Sequence, residues 1–110
     1  MGLFDLLKGA DINAGVEEFR NTPGAVLIDV RTPQEYRDGH IPGSRTVPLQ
    51  TLDEVEGVVT DPDTPMFVYC YSGARSRQAA AMLNRMGYRH VKNLGGITAW
   101  KGEIEGRNAK

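Results

Sequence analysis

The chain has 110 residues, 25% of them charged and 40% hydrophobic, with a formal net charge of -1. That length supports one compact core without disulfides or a structural metal, and the near-neutral balance gives no long-range attraction to nucleic acid or an acidic membrane surface. The first residues lack a basic start and a long apolar stretch, and nowhere do about 18 apolar residues run together, so the expectation is a single domain over 1–110, soluble, cytoplasmic and without a membrane partner.

In chain order, Leu3, Phe4, Leu6 and Leu7 read as a helical turn covering the core, with residues 1–10 peripheral. Asn13 is expected to cap a helix that buries Val16 and Phe19. Ala25 to Val30 is short, apolar and bounded by glycine, as a strand buried on both faces should be. Thr32-Pro33-Gln34-Glu35 is a capping box with proline at the first helical position, and Gly39 closes that short helix. Thr51-Leu52-Asp53-Glu54 reads as a second capping box, opening a helix that carries Leu52 and Val55 inward. Met66 to Tyr71 is another buried strand.

From Ser76 to Met86 the residues Ala79, Met82, Leu83 and Met86 share one helical face, Arg77 and Arg85 lie off it, and Gly87 is a left-handed stop. His90 to Leu94 reads as a short strand, followed by Gly95-Gly96 and a last turn with Ile97 and Trp100. Residues 103–110 are polar, expected to be peripheral and to fray. Strands alternating with helices imply right-handed crossovers and a mainly parallel sheet covered by helices on both sides, an α/β fold.

Cys70 is the only cysteine, which excludes an internal disulfide and every multi-cysteine zinc pattern. His40 and His90 lie far from it in sequence, so neither a metal site nor a cofactor is expected. A lone cysteine is by default a small buried hydrophobe. Here, however, a buried strand ends at the cysteine, a short turn follows, and the clearest helix of the chain begins. That order puts Cys70 at the C-terminal edge of the sheet, where open α/β folds bind ligands, and aims backbone N–H groups and a helix N-terminus at the sulfur. Such surroundings lower a thiol pKa from about 8.5 toward neutrality, and the thiolate is the nucleophile.

The loop Cys70-Tyr71-Ser72-Gly73-Ala74-Arg75-Ser76 resembles the active-site loop of the rhodanese family. Asp29-Val30-Arg31 with Glu35-Tyr36 and Gly39-His40-Ile41-Pro42-Gly43-Ser44 resembles the family's upstream motif, and Asn93-Leu94-Gly95-Gly96 with Ala99-Trp100 its downstream one. The resemblance implies a three-layer α/β/α domain with a mainly parallel, about five-stranded sheet. It also implies transfer of a sulfane sulfur through a Cys70 persulfide. The thiolate takes the outer sulfur of thiosulfate or a similar small anionic donor, sulfite leaves, and the sulfur passes to cyanide, a thiol or a protein acceptor. No separate general base is needed, because a low-pKa thiolate is already nucleophilic.

Within the loop, Arg75 either holds the donor's sulfonate or fixes the loop through carbonyl contacts, and Ser72 and Ser76 either donate to the terminal sulfur or, for Ser76, cap the helix. Gly73 lets the backbone wrap closely, while Tyr71 and Ala74 shape the choice of acceptor. Asp29, Arg31 and Glu35 read as a charged cluster that braces loops. His40 reads as a hydrogen-bonded turn residue and Trp100 as an anchor for the last turn. Arg45 departs from the small or apolar residue expected after Gly43-Ser44, and either adds charge near the site or lies along the surface. Two other readings compete. A phosphatase or arsenate reductase signature has arginine six positions after the cysteine, where this chain has Ser76, and the shorter loop suits a sulfur atom better than a phosphoryl group. A non-catalytic sulfur-carrier or regulatory module would also contain the domain, although an intact Cys70 and Arg75 argue for chemistry.

Overall fold

The computed structural model describes residues 11–107; the apolar turn expected at Leu3, Phe4, Leu6 and Leu7 lies outside them. The first helix, α1, spans Ile12–Arg20 and is capped by Asp11, whose carboxylate accepts from the amides of Asn13 and Ala14 at 3.0 and 3.4 Å. Asn13 is therefore inside the helix rather than its cap. Aspartate caps as well as asparagine and stands earlier, which frees the Asn13 carboxamide to tie the helix to the far end of the chain. It donates to the Ala99 carbonyl at 3.0 Å and accepts from the Lys101 amide at 2.9 Å.

Strand β1 is Val26–Asp29, and helix α2, Pro33–Asp38, begins with the expected capping box in full. Strand β2, Ser44–Thr46, carries no sequence signal: it is three residues long and two of them are exposed, so neither apolar run nor alternation marks it. The segment Leu49–Gly57 is 3-10 helical, and the expected Thr51 capping box is absent. It starts two residues before Thr51, whose amide is already bonded to the Pro48 carbonyl at 3.0 Å and whose backbone breaks the helix at φ -126°, ψ 42°. Leu52 and Val55 still point inward and are buried. Strand β3 is Met66–Cys70, α3 is Ala74–Arg85 with Gly87 at φ 108° just beyond it, β4 is Val91–Gly96, and a 3-10 turn, Ile97–Ala99, follows.

Among the described residues the sheet has four strands in the order β2-β1-β3-β4, all parallel, one fewer than the about five expected. The expected α/β architecture with helices on both faces stands. Alternation along β3 splits the core in two. Met66, Val68 and Cys70 face one side with Val55 and, from α3, Ala79 and Leu83; Phe67 and Tyr69 face the other with Ile12 and Val16 of α1. Cys70 thus lies on the α3 side at the last position of the central strand.

Residues 103–107 do not fray. Glu105 pairs with His40 in an antiparallel bridge, with N–O distances of 2.7 and 2.9 Å, and the Arg107 amide donates to the Arg37 carbonyl at 2.7 Å. Polar composition hid this because the bonds are made by backbone. Among the described residues, no helix is long and apolar enough to cross a membrane.

Candidate active site

Helix α3 starts without a side-chain cap. Its N-cap is Gly73, in the left-handed region at φ 109°, a conformation that costs glycine little and any other residue more. That turn folds the chain back on Cys70, and the Gly73 amide donates to Sγ at 2.9 Å. Cys70 itself is only 1% exposed. Burial raises its pKa, but donation from the Ser76 hydroxyl and from the amides of Ser76, Gly73 and Arg75 outweighs burial and holds the thiol below its ordinary value. Oriented donors thus favour a thiolate where solvent cannot.

Strand β4 forms the floor. Its pairing with β3 is irregular, skipping from Val68↔Asn93 to Tyr69↔Gly95 and Cys70↔Gly96. Asn93 Oδ1 accepts from the Gly95 amide at 2.9 Å and from the Ser76 hydroxyl at 2.7 Å, holding the kink. Glycine at 96 is required by proximity: a Cβ there would lie 2.6 Å from the Ser72 Cα and 2.8 Å from its carbonyl carbon. The active loop rests directly on that backbone.

The charged cluster divides into two pairs. Arg31 pairs with Asp29, with Nη2 to Oδ2 at 2.8 Å and Nε to Oδ1 at 3.0 Å, and it also donates to the Gly39 carbonyl at 2.6 Å. Both residues are buried, so this pair braces the end of β1 as expected. Glu35 turns the other way. It accepts from Arg75 at 2.7 and 3.1 Å while its Oε1 also takes the Thr32 amide and hydroxyl. The Arg75 guanidinium holds the Glu35 carboxyl down at about 2, against a burial effect in the opposite direction and with help from Thr32. Arg75 therefore fixes the loop through a carboxylate on α2 and not through carbonyls.

Cys70, Gly73, Arg75 and Ser76 converge around the sulfur, whereas Ser72 and Ala74 are exposed and Tyr71 is 53% exposed at the rim. Arg45 is exposed on β2. His40 sits in its turn, with Nδ1 2.8 Å from the Tyr36 carbonyl and its ring stacked on Tyr36 at 3.8 Å; Trp100 donates to the Glu103 carbonyl at 2.8 Å. Sequence reasoning gave Asn93 and Gly96 no role and did not foresee the pairing of Glu35 with Arg75. The only signal for the first two was their place in the downstream motif.

A sequence model of the rhodanese-like domain matches residues 13–103. The thiosulfate sulfurtransferase PspE of Escherichia coli is 41% identical over 71 residues, covering 64% of this chain and 68% of that protein. The thiosulfate sulfurtransferase GlpE of Ectopseudomonas mendocina is 37% identical, covering 86% of this chain and 85% of the relative. Among solved structures, an E. coli rhodanese with anions superimposes with a TM-score of 0.70 at 33% identity, covering 76% of this chain and 99% of that one.

Proposed function

Because the chain belongs to the rhodanese-like family and is a sulfurtransferase, we propose that Cys70 is its nucleophile and carries the sulfane sulfur as a persulfide. The observation that carries this reading is the donor set on the sulfur: the Gly73 amide at 2.9 Å and the first turn of α3, together outweighing burial. In the first half-reaction the Cys70 thiolate attacks the outer sulfur of thiosulfate or a similar anionic donor. A new S–S bond forms, the donor's S–S bond breaks, and its electron pair leaves with sulfite. In the second, a thiol or protein acceptor, or cyanide, attacks the terminal sulfur and the pair returns to Cys70. The charge stays on sulfur throughout, so fixed donors can stabilise every stage without reorganising.

Tyr71, Ser72, Gly73, Ala74, Arg75 and Ser76 form the substrate-binding loop in this reading. Arg75 spends two of its five N–H donors on Glu35 and keeps the others for an oxyanion beside the sulfur. The exposed Tyr71 meets the acceptor. A working lone thiol survives best in a reducing compartment, which supports the cytoplasm. The test is intact mass before and after thiosulfate. A gain of one sulfur, removed by a thiol reductant, is expected; no gain under conditions where a known rhodanese is charged refutes the assignment.

A further inference from the structure

Two ion pairs beside the cysteine limit how much negative charge a donor can bring to it. Arg31 and Asp29 are both buried and cancel each other at the end of β1. Arg75 is gripped by Glu35 through two hydrogen bonds, at 2.7 and 3.1 Å. Glu35 Oε1 also accepts from the Thr32 amide and hydroxyl, at 3.0 and 3.1 Å, so the start of α2 itself holds the carboxylate against the guanidinium. Arg75 therefore offers a donor its remaining N–H groups but little net charge. The other arginines toward this edge, Arg77 in the first turns of α3 and Arg45 on β2, are exposed, where water and salt screen them. The loop amides carry partial charge only, and the Cys70 sulfur already draws on the Gly73 N–H at 2.9 Å. With both pairs cancelled, the negative charge of a Cys70 thiolate stands uncompensated before any donor arrives.

We propose that Glu35 sets donor specificity: its carboxylate, held against Arg75, selects organic thiosulfonates, which carry one negative charge, over dianionic thiosulfate. This selection rests on Cys70 being the sulfur carrier. In a thiosulfonate a carbon group replaces one oxyanion of thiosulfate. The Cys70 thiolate attacks the outer sulfur, a new S–S bond forms, the donor's S–S bond breaks, and its electron pair leaves with a sulfinate in place of sulfite. Both donors keep two sulfonyl oxygens for the free N–H groups of Arg75. Only thiosulfate brings a second negative charge toward the Glu35 carboxylate, roughly 7 Å away across a guanidinium bonded on both sides. At that range one unit of charge is worth about tenfold in rate, after allowance for solvent screening of a pair about one-third exposed.

The experiment measures how fast Cys70 gains sulfur from thiosulfate and from methanethiosulfonate, by quenched-flow intact mass, in the parent, Glu35→Gln and Glu35→Asp. Taking the ratio of the two rates within each protein, and comparing proteins, removes the intrinsic reactivity of each donor. Removing the charge in Glu35→Gln should raise the thiosulfate-to-methanethiosulfonate ratio about tenfold, whatever happens to both rates together. Glu35→Asp keeps the charge and shortens its reach, so it should slow both donors and leave the ratio within about twofold of the parent. A residue that only anchored the loop would slow both donors alike and change the ratio in neither variant. An unchanged ratio in Glu35→Gln, or the same rise in Glu35→Asp, overturns the proposal. Salt gives an independent reading without relying on a variant's fold: screening should raise the ratio in the parent, and a ratio that stays flat or falls overturns the proposal as well. If the parent gains sulfur from neither donor, the sulfur-carrier reading fails and takes the selection with it; sulfur gained without the expected shifts in ratio refutes the selection alone.

Discussion

Gly96→Ala tests whether contact between β4 and the active loop sets the rate of sulfur transfer. Gly96 has φ -116° and ψ 143°, an extended conformation that alanine adopts freely, so the substitution strains nothing in its own backbone. The added methyl would sit 2.6 Å from the Ser72 Cα and 2.8 Å from the Ser72 carbonyl carbon. Ordinary carbon contacts begin near 3.5 Å, so the loop must withdraw by about 1 Å. These are backbone atoms and no rotamer can absorb the shift. A displacement of that size in a positioned site costs about 10²-fold in rate, and overpacking costs about 1–3 kcal/mol of stability. Gly15→Ala is the control, because its Cβ would press on the Leu94 side chain, 3.0 Å away at Cγ, without touching the loop. It should lower the melting temperature and leave the rate per folded molecule within about twofold. The assay is quenched-flow intact mass with thiosulfate, paired with thermal melting. A Gly96→Ala protein that charges at the parental rate would show that the loop's seat on β4 has no catalytic consequence.

Three further outcomes are expected. Cys70→Ser should gain no sulfur, and because the folded thiol ionises below its ordinary value near 9, the parent's melting advantage over this variant should grow as pH rises toward 9 and vanish below the folded pKa; a gap independent of pH would refute the thiolate's stabilising role. Arg31→Ala leaves the Asp29 carboxylate buried without its partner and should cost about 3–5 kcal/mol, measured by urea unfolding, while the folded fraction retains its transfer rate; normal stability with lost turnover would overturn the bracing role. Glu35→Gln should melt about 1–5 °C below the parent at neutral pH, a small effect because the pair is about one-third exposed; Glu35 sits at about 2 against a usual 4.5, so the gap should persist above pH 4.5 and close as pH falls toward 2.

Features legible in the sequence were those governed by local physics. The buried strands Val26–Asp29 and Met66–Cys70 carry apolar runs, the Thr32 capping box closes within three residues, and α3 shows its apolar face at helical spacing. Features that needed long-range geometry were not legible. β2 exists because β1 offers it an edge, the 103–107 segment because His40 offers it a backbone, and the Glu35–Arg75 pair joins residues 40 positions apart. Within the site the same division holds. Cys70 at a strand end before a helix could be read directly, whereas the choice of arginine for Glu35 depended on where α2 sits against α3. Asn93 was hidden because it reads as an ordinary position in the short strand from His90 to Leu94; its hydrogen bond to Ser76 is visible only once α3 lies over β4.

The missing cap on α3 joins fold to function. A helix of twelve residues that opens on glycine forgoes the side-chain cap that serine, threonine, aspartate or asparagine would supply, at a cost of roughly a few tenths of a kcal/mol. Its first amides are nevertheless not idle: those of Arg75 and Ser76, which a capping oxygen would engage, are turned to Cys70 Sγ instead, beside the Gly73 N–H at 2.9 Å. The sulfur is the cap, and it caps best as an anion, since negative charge at a helix N-terminus is stabilised by the amides and by the helix dipole. A conventional cap would satisfy the same donors with an inert side chain and leave the thiol to its burial, which raises the pKa. Leaving the helix uncapped hands the donors to the one atom whose ionisation matters, and the cost in helix stability is returned only while that atom carries charge. Glu35 completes the arrangement from the other side: by capping α2 and gripping Arg75 with one carboxylate, it anchors the first turn of α3 to the sheet edge, so the donors stay aimed at the sulfur without a cap of their own.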